Sequence, residues 1–270
     1  MSDDTPPPTE SALSKLVDLL LGRPLALLEE LGGYLSIGGQ FFAWVARPPF
    51  RLAPFLAALA FIGAESTFIV GLVGLFTGMA FTVSTILGFR QFSAENMVGG
   101  VVSLALSREL APVLAAVVVT ARAGSTMASE LGNMRVTEQI DAITTMGVSP
   151  VQYLVVPRIL ATTLMLPLLT LAFGMAGMGG AYVVAVVDQN LDPGQFWDKV
   201  RVFLKPDDVR MAIVKATLFG FIVSTICCTK GFNASGGARG VGEATAKAVV
   251  ASIVAIFAAD YIVTLIMSDL

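Results

Sequence analysis

Long uncharged apolar runs alternate with short polar ones along this chain. A helix that crosses a bilayer needs roughly 20 mostly apolar residues, and five runs reach about that length. Ser66 to Phe89 carries no charge. Asn96 to Ala121 holds Arg108 and Glu109 near its middle. Ile159 to Val187 is uncharged. Met211 to Thr229 is interrupted only by Lys215, and Ala248 to Ser268 only by Asp260. A sixth stretch, Leu52 to Ala64, is too short to cross alone. With Glu65 it either extends the first span into one long tilted helix or forms a re-entrant piece. The pattern predicts an all-α polytopic membrane protein.

Leu13 to Leu31 follows a different rule. Leu16, Leu19, Leu20, Leu27, Leu28 and Leu31 recur at helical spacing with Lys15, Asp18, Glu29 and Glu30 between them. This is an amphipathic helix, lying in the membrane interface or packed on another subunit. Gly22 and Pro24 interrupt it. The segment before it, with Asp3, Asp4 and Pro6-Pro7-Pro8, is acidic and proline-rich and lacks the basic and apolar regions of a signal peptide. The expected organisation is a disordered cytoplasmic tail over 1–12, an interfacial region over 13–50, and a membrane domain over 51–270.

Lysine and arginine bias orients the spans. An N-terminus in the cytoplasm puts Lys15, Arg23, Arg47, Arg51, Arg122, Arg135, Arg158, Lys230, Arg239 and Lys247 at the inner side. It leaves Arg90, Lys199, Arg201, Lys205 and Arg210 outside. With five spans the C-terminus is then external, as is the loop from Asp188 to Asp208. Gly74 and Gly78 form a small-xxx-small pair in the first span, and Gly174, Gly177, Gly179 and Gly180 give the third a small face. Such residues let helices approach closely, in a bundle or in a dimer.

Composition narrows the chemistry. Of 270 residues 55% are hydrophobic and 14% charged, against about a quarter charged in soluble domains. Histidine is absent, and Cys227 and Cys228 are adjacent inside an apolar run. A disulfide framework and a Cys/His metal site are both excluded. A net charge of −3 gives no reason to expect nucleic acid as a partner. No phosphate-binding G-x-x-x-x-G-K-[ST] loop occurs; the glycine-rich Gly231 to Gly242 contains no lysine and follows a span, not a strand. Work driven by ATP needs another subunit.

Four ionisable groups remain inside spans: Arg108, Glu109, Lys215 and Asp260. Charges in a bilayer are costly and face a cavity or a partner. Lys215 and Asp260, on antiparallel neighbours, are placed to meet. Adjacent helical residues point about 100° apart, so Arg108 and Glu109 do not face one partner together. These groups are either neutralised pairs that hold helices together or functional contacts. Between the second and third spans, Val136, Ile140 and Ile143 form a narrow apolar stripe, with Glu138, Asp141 and Thr145 elsewhere around the helix. Gly132-Asn133 and Gly147-Val148-Ser149-Pro150 punctuate its ends. A short bracketed amphipathic helix suits docking into a groove on a cytoplasmic protein, or rests on the membrane surface.

Several runs resemble the MlaE/YrbE permeases. They are Ser107-Arg108-Glu109-Leu110-Ala111-Pro112-Val113-Leu114, Ala121-Arg122-Ala123-Gly124-Ser125, Glu130 to Ala142, Met146-Gly147-Val148, Val156-Pro157-Arg158, Lys230-Gly231-Phe232-Asn233-Ala234-Ser235-Gly236-Gly237, Gly240-Val241-Gly242-Glu243-Ala244-Thr245, Ala248 to Ser252, and Asp260-Tyr261. The resemblance runs from about Leu16 to Met267 and departs at Ala111, where the family often has Gly, and at Ala246, where a second Thr is common.

It implies a homodimeric permease of an ABC lipid transporter in the bacterial inner membrane. The implied partners are a cytoplasmic ABC ATPase, which binds the ATP and Mg, and an external MCE-domain protein; the cargo is phospholipid. This chain itself is then not an enzyme and holds no cofactor. Arg108, Glu109, Lys215 and Asp260 match family polar residues inside the membrane, and Phe81, Phe89 and Phe92 sit where relatives line the lipid path. Arg135 to Gly147 becomes the coupling helix, with Arg135, Thr137, Glu138, Gln139, Asp141, Met146 and Gly147 as ATPase contacts.

Overall fold

The structure, a computed structural model, describes residues 23–45, 47 and 52–268. The tail 1–12 and the start of the amphipathic stretch, through Gly22, lie outside the described residues. Those that are described are almost wholly helical and contain no strand.

Helix α1 runs Arg23–Val45. Pro24 falls in its first described turn, where proline's fixed φ and missing N–H suit a helix start; the expected interruption of the amphipathic stretch turns on residues through Gly22, outside the described ones. The five predicted spans all appear as helices long and apolar enough to cross a membrane, so the protein is a multi-pass membrane protein. They are α2 (Leu52–Arg90), α3 (Glu95–Val136), α5 (Val151–Asp188), α7 (Pro206–Phe232) and α8 (Gly237–Ser268). A short α4 (Gln139–Thr145) joins α3 to α5, and α6 (Pro193–Phe203) joins α5 to α7.

The Leu52 to Ala64 stretch is not re-entrant. It continues into the first span through a π-helical turn at Ala60–Ala64. The 42 residues of α3 extend about 60 Å, twice the roughly 30 Å hydrocarbon core, so it is much longer than one crossing needs. Wider π turns recur at Leu106–Leu110 and Thr120–Gly124 in α3, and such bulges cluster at functional positions. The turns of 137–150 mark one end of the bundle, the α4 end; the opposite α6 end carries the 91–94 turn and α6.

Glycine makes the central seam. A Cβ on Gly74 would stand 2.6 Å from the Phe173 carbonyl oxygen, and one on Gly78 would run into the backbone of Gly177. Gly180 meets the backbone of Leu75 in the same way. The small-residue pairs of α2 and α5 are therefore spent on each other within one chain. Around the seam lies the main core, with Leu106, Met127, Phe173 and Phe219 almost fully buried. A second core at the α4 end joins Ile37 and Phe41 of α1 to Leu131, Ile140, Val155 and Ile159. Phe41 and Phe42 pack their rings on Phe221 of α7, while Leu28, Leu31 and Leu35 of α1 face outward. Lys230 of α7 ties α1 down through Glu30 at 2.7 Å.

Candidate functional site: a charged cluster inside the spans

Three spans bring charges together towards the α6 end. Pro112 lies four residues after Arg108, where an α-helix would supply an N–H to the Arg108 carbonyl. Proline has none, and the π turn Leu106–Leu110 ends just before it. Lys215 of α7 fills the gap: its Nζ donates to the Arg108 carbonyl oxygen at 3.1 Å. It also donates to Glu109 Oε2 at 2.7 Å and lies 2.8 Å from Asp260 Oδ1. The last is an ion contact that falls off the line of a hydrogen bond. Two of the ammonium's protons thus go to the Arg108 and Glu109 oxygens, the Asp260 carboxylate adds a close charge contact, and the side chain is fully buried. Thr264 of α8 reaches Glu109 Oε2 at 3.5 Å.

Arg108 turns to a different partner. Its Nε donates to Asp208 Oδ1 at 2.5 Å. Asp208 is only 1% exposed, and its other oxygen accepts the Lys205 backbone N–H at 2.8 Å. Arg108 and Glu109 accordingly have separate partners, as their angular offset requires. Three carboxylates meet two cations, leaving one excess negative charge when all are ionised. The cluster is asymmetric in exposure. Lys215 and Asp208 are closed off, whereas the Glu109 and Arg108 side chains are 41% and 46% exposed. It is anchored on its buried side and offers a carboxylate and a guanidinium on its open side.

Asp208 is the member that sequence reading missed, having assigned it to an external loop. The signal was present: Lys205-Pro206-Asp207-Asp208 is a helix start, with proline at the first position and acids in the first turn. The three phenylalanines do not gather with the charges. Phe81 and Phe89 are half-buried against the main core on α2, which borders α5 and α3 rather than α7 and α8. Phe92 is exposed in the turn that follows.

At the α4 end the bracketing differs from expectation. Gly132-Asn133 does not end a helix; α3 runs through it to Val136. Gly132 serves packing, since a Cβ there would lie 3.1 Å from Val241. The break falls at Thr137-Glu138, with Glu138 in the left-handed region at φ 60°. Arg135 therefore belongs to α3, and its Nη1 donates across the break to Asp141 Oδ1 at 2.6 Å. Gln139 donates to the Thr137 hydroxyl at 3.0 Å. The far end is at Gly147, φ 74°. Ile140 is buried in the second core, while Gln139, Asp141, Thr145 and Met146 face out. A deeper brace joins α3 to α2: Arg122 donates to the Phe61 carbonyl oxygen at 2.9 Å and to Ser66 Oγ at 2.8 Å, and pairs with Glu65.

The family model described as Permease MlaE matches residues 55–266. A probable ABC transporter permease protein of Rickettsia prowazekii is 39% identical over 93% of this chain and 97% of its own. The protein trigalactosyldiacylglycerol 1, chloroplastic, of Arabidopsis thaliana is 37% identical over 84% of this chain and 65% of its own. The intermembrane phospholipid transport system permease protein MlaE of Haemophilus influenzae is 32% identical over 84% of this chain and 88% of its own.

Proposed function

The chain belongs to the MlaE permease family, and from that membership we propose that it is the permease subunit of an ABC transporter that moves phospholipid between the inner membrane and an external MCE-protein assembly. Two copies form the membrane core. A separate cytoplasmic ATPase binds the ATP and Mg and supplies the work. The name of the Haemophilus influenzae relative supports phospholipid as cargo, and the Rickettsia prowazekii relative's name supports the ABC class.

The observation that carries the reading is the half-open cluster of Lys215, Glu109, Asp260 and Arg108. A lipid crossing a protein needs an apolar wall for its chains and a few fixed polar groups for its head. Arg108 suits a phosphate and Glu109 a head-group amine, each held in place from behind by a buried partner. The α4 end is cytoplasmic, as the lysine and arginine bias requires, and the N-terminus lies on that side with the C-terminus opposite. Residues 135–147 then meet the ATPase. Its outward face is polar with Met146 as an apolar knob, and Ile140 fastens it to the bundle, so a push on α4 travels into α3 and α5.

Reconstitution of the purified complex in liposomes tests this, with ATP-dependent transfer of a fluorescent phospholipid as readout. Met146→Ala and Asp141→Arg should each lower ATP-driven transfer at least about tenfold while insertion stays unchanged; both side chains are exposed, and the Arg135 bridge that Asp141→Arg removes is a surface pair worth about 1 kcal/mol or less. Unchanged transfer in both variants would remove the coupling assignment. Transfer driven by a proton gradient with no ATPase present would remove the ABC reading.

A further inference from the structure

We propose that the chain carries a second lipid site: a slot on the outer wall of the bundle that holds one acyl chain of an anionic glycerophospholipid from the leaflet at the α6 end. The proposal does not depend on the transport reading.

The slot is a cavity of about 490 Å³ between α3, α5 and α7, roofed by α6. One face of α5 makes its floor: Thr170, Gly174, Met175, Met178, Gly179 and Tyr182 recur at helical spacing. The walls are Ala111 of α3 and Ala212 of α7, with Trp197 and Leu204 at the mouth. The lining is almost wholly apolar. Ser107, another lining residue, is two positions from Glu109 and so on nearly the opposite side of α3; the slot opens away from the Glu109 carboxylate.

Its dimensions select the occupant. Thr170 and Tyr182 lie 12 rises apart on one α-helix, about 18 Å, close to half of the roughly 30 Å hydrocarbon core. The slot is therefore one leaflet deep. Spread over that length, its volume leaves a bore of roughly 6 Å for the centre of a water-sized sphere, about 9 Å from wall to wall. A packed helix is about 10–12 Å across and does not enter; a single hydrocarbon chain does. Met175 and Met178 give the wall flexible side chains that follow a mobile chain.

The mouth fits a head group. Trp197 and Tyr182 stack at 5.9 Å between ring centres, the amphipathic rings that favour the head-group level. Lys205 and Arg210 directly flank the lining residues Leu204 and Val209. Both are exposed, and neither side chain forms an ion pair among the described residues. Two exposed cations adjoining the lining in sequence at the α6 end suit an anionic phosphate at the head-group level beside an acyl chain.

The two glycines in the floor make the site testable. Unlike Gly78 and Gly180 on the seam, Gly179 has nothing within 4 Å of an added Cβ, and Gly174 only Ala111 at 4.0 Å. A larger side chain at either position fills the slot without meeting backbone. The experiment uses the full chain in phosphatidylethanolamine nanodiscs doped with phosphatidylglycerol carrying a diazirine on its acyl chain. Photolabelled peptides are located by mass spectrometry. Labelling should concentrate on 170–182. Gly179→Leu and Gly174→Leu should lower it at least about fivefold, with labelling of the exposed face of α2 unchanged. Met175→Trp, on a side chain that is already largely exposed, gives the same block should the glycine variants fail to fold. Lys205→Gln with Arg210→Gln should abolish the preference for phosphatidylglycerol over a phosphatidylcholine probe. Even labelling along every lipid-facing helix, undiminished labelling in the filled variants, or a co-purified protein helix crosslinked in place of lipid would each overturn the proposal.

Discussion

Lys215→Met isolates what the buried ammonium does. In the native chain it neutralises two carboxylates at 2.7 and 2.8 Å and satisfies the Arg108 carbonyl. At an effective dielectric of about 20 each contact is worth roughly 6 kcal/mol of gross attraction, largely offset by the cost of taking the charges out of water. Removing one partner keeps that cost and loses the attraction, typically about 3–5 kcal/mol net. Methionine fills most of the volume, so little of the loss is cavity. For a chain of this size that is a fall in melting temperature of about 6–20 °C, measurable by scanning fluorimetry in mild detergent. A triple change, Glu109→Gln with Lys215→Met and Asp260→Asn, removes the charges together and should recover all but about 1–2 kcal/mol. Lipid transfer should remain lost in the triple variant, which separates folding from function. A Lys215→Met protein within about 1 kcal/mol of the native one would refute the reasoning, because Glu109 and Asp260 would then be tolerated without their counter-charge.

Glycine positions separate by what a Cβ would meet. Gly78→Ala drives a methyl into the Gly177 backbone and should cost at least about 2 kcal/mol, whereas Gly71→Ala and Gly88→Ala meet nothing within 4 Å and should stabilise their helix by about 0.5–1 kcal/mol; thermal melts of the three distinguish them. The anchor of α1 should depend on pH in one direction. The hydrogen bond from Lys230 holds Glu30 below its ordinary value of 4.5, so the bridge stays whole from neutral pH down through 4.5 and is lost as pH falls through the lower folded value. Hydrogen exchange of α1 should therefore rise only in acid. In Glu30→Gln it should be raised already at pH 7, with little further change in acid.

Much of the fold was legible because a bilayer demands long apolar runs, and few soluble patterns imitate them. What stayed hidden was where packing, not polarity, sets the geometry. Gly132 reads as a helix end but is a contact point for Val241. The true end, at Glu138, has neither glycine nor proline; its positive φ is a conformation few non-glycine residues adopt and none of its neighbours advertises. The glycines of the third span read as one small face, yet Gly177 and Gly180 are spent on α2 while Gly174 and Gly179 open onto the slot. Residues one turn apart have opposite uses, and only the neighbouring helix decides which.

The charged cluster shows the same division. A lone charge in a span is expensive, so Arg108, Glu109, Lys215 and Asp260 were visible as residues that must find partners. Pairing Lys215 with Asp260 followed from antiparallel neighbours. Asp208 escaped because its cost is not apparent from its surroundings in sequence: it sits among polar residues and becomes buried only when α7 begins beneath Arg108. The carbonyl that Lys215 satisfies was hidden for another reason, since it is created by a proline four residues away, not by any polar side chain. Proline at 112 removes one donor, α7 supplies a replacement from 107 residues away in sequence, and the replacement is itself charged and needs Glu109 and Asp260. A helix irregularity, a cross-span bond and a triad of charges are thus one construction. Pro112→Ala should return the Arg108 carbonyl to its own helix and loosen Lys215 from α3 without altering a single charge.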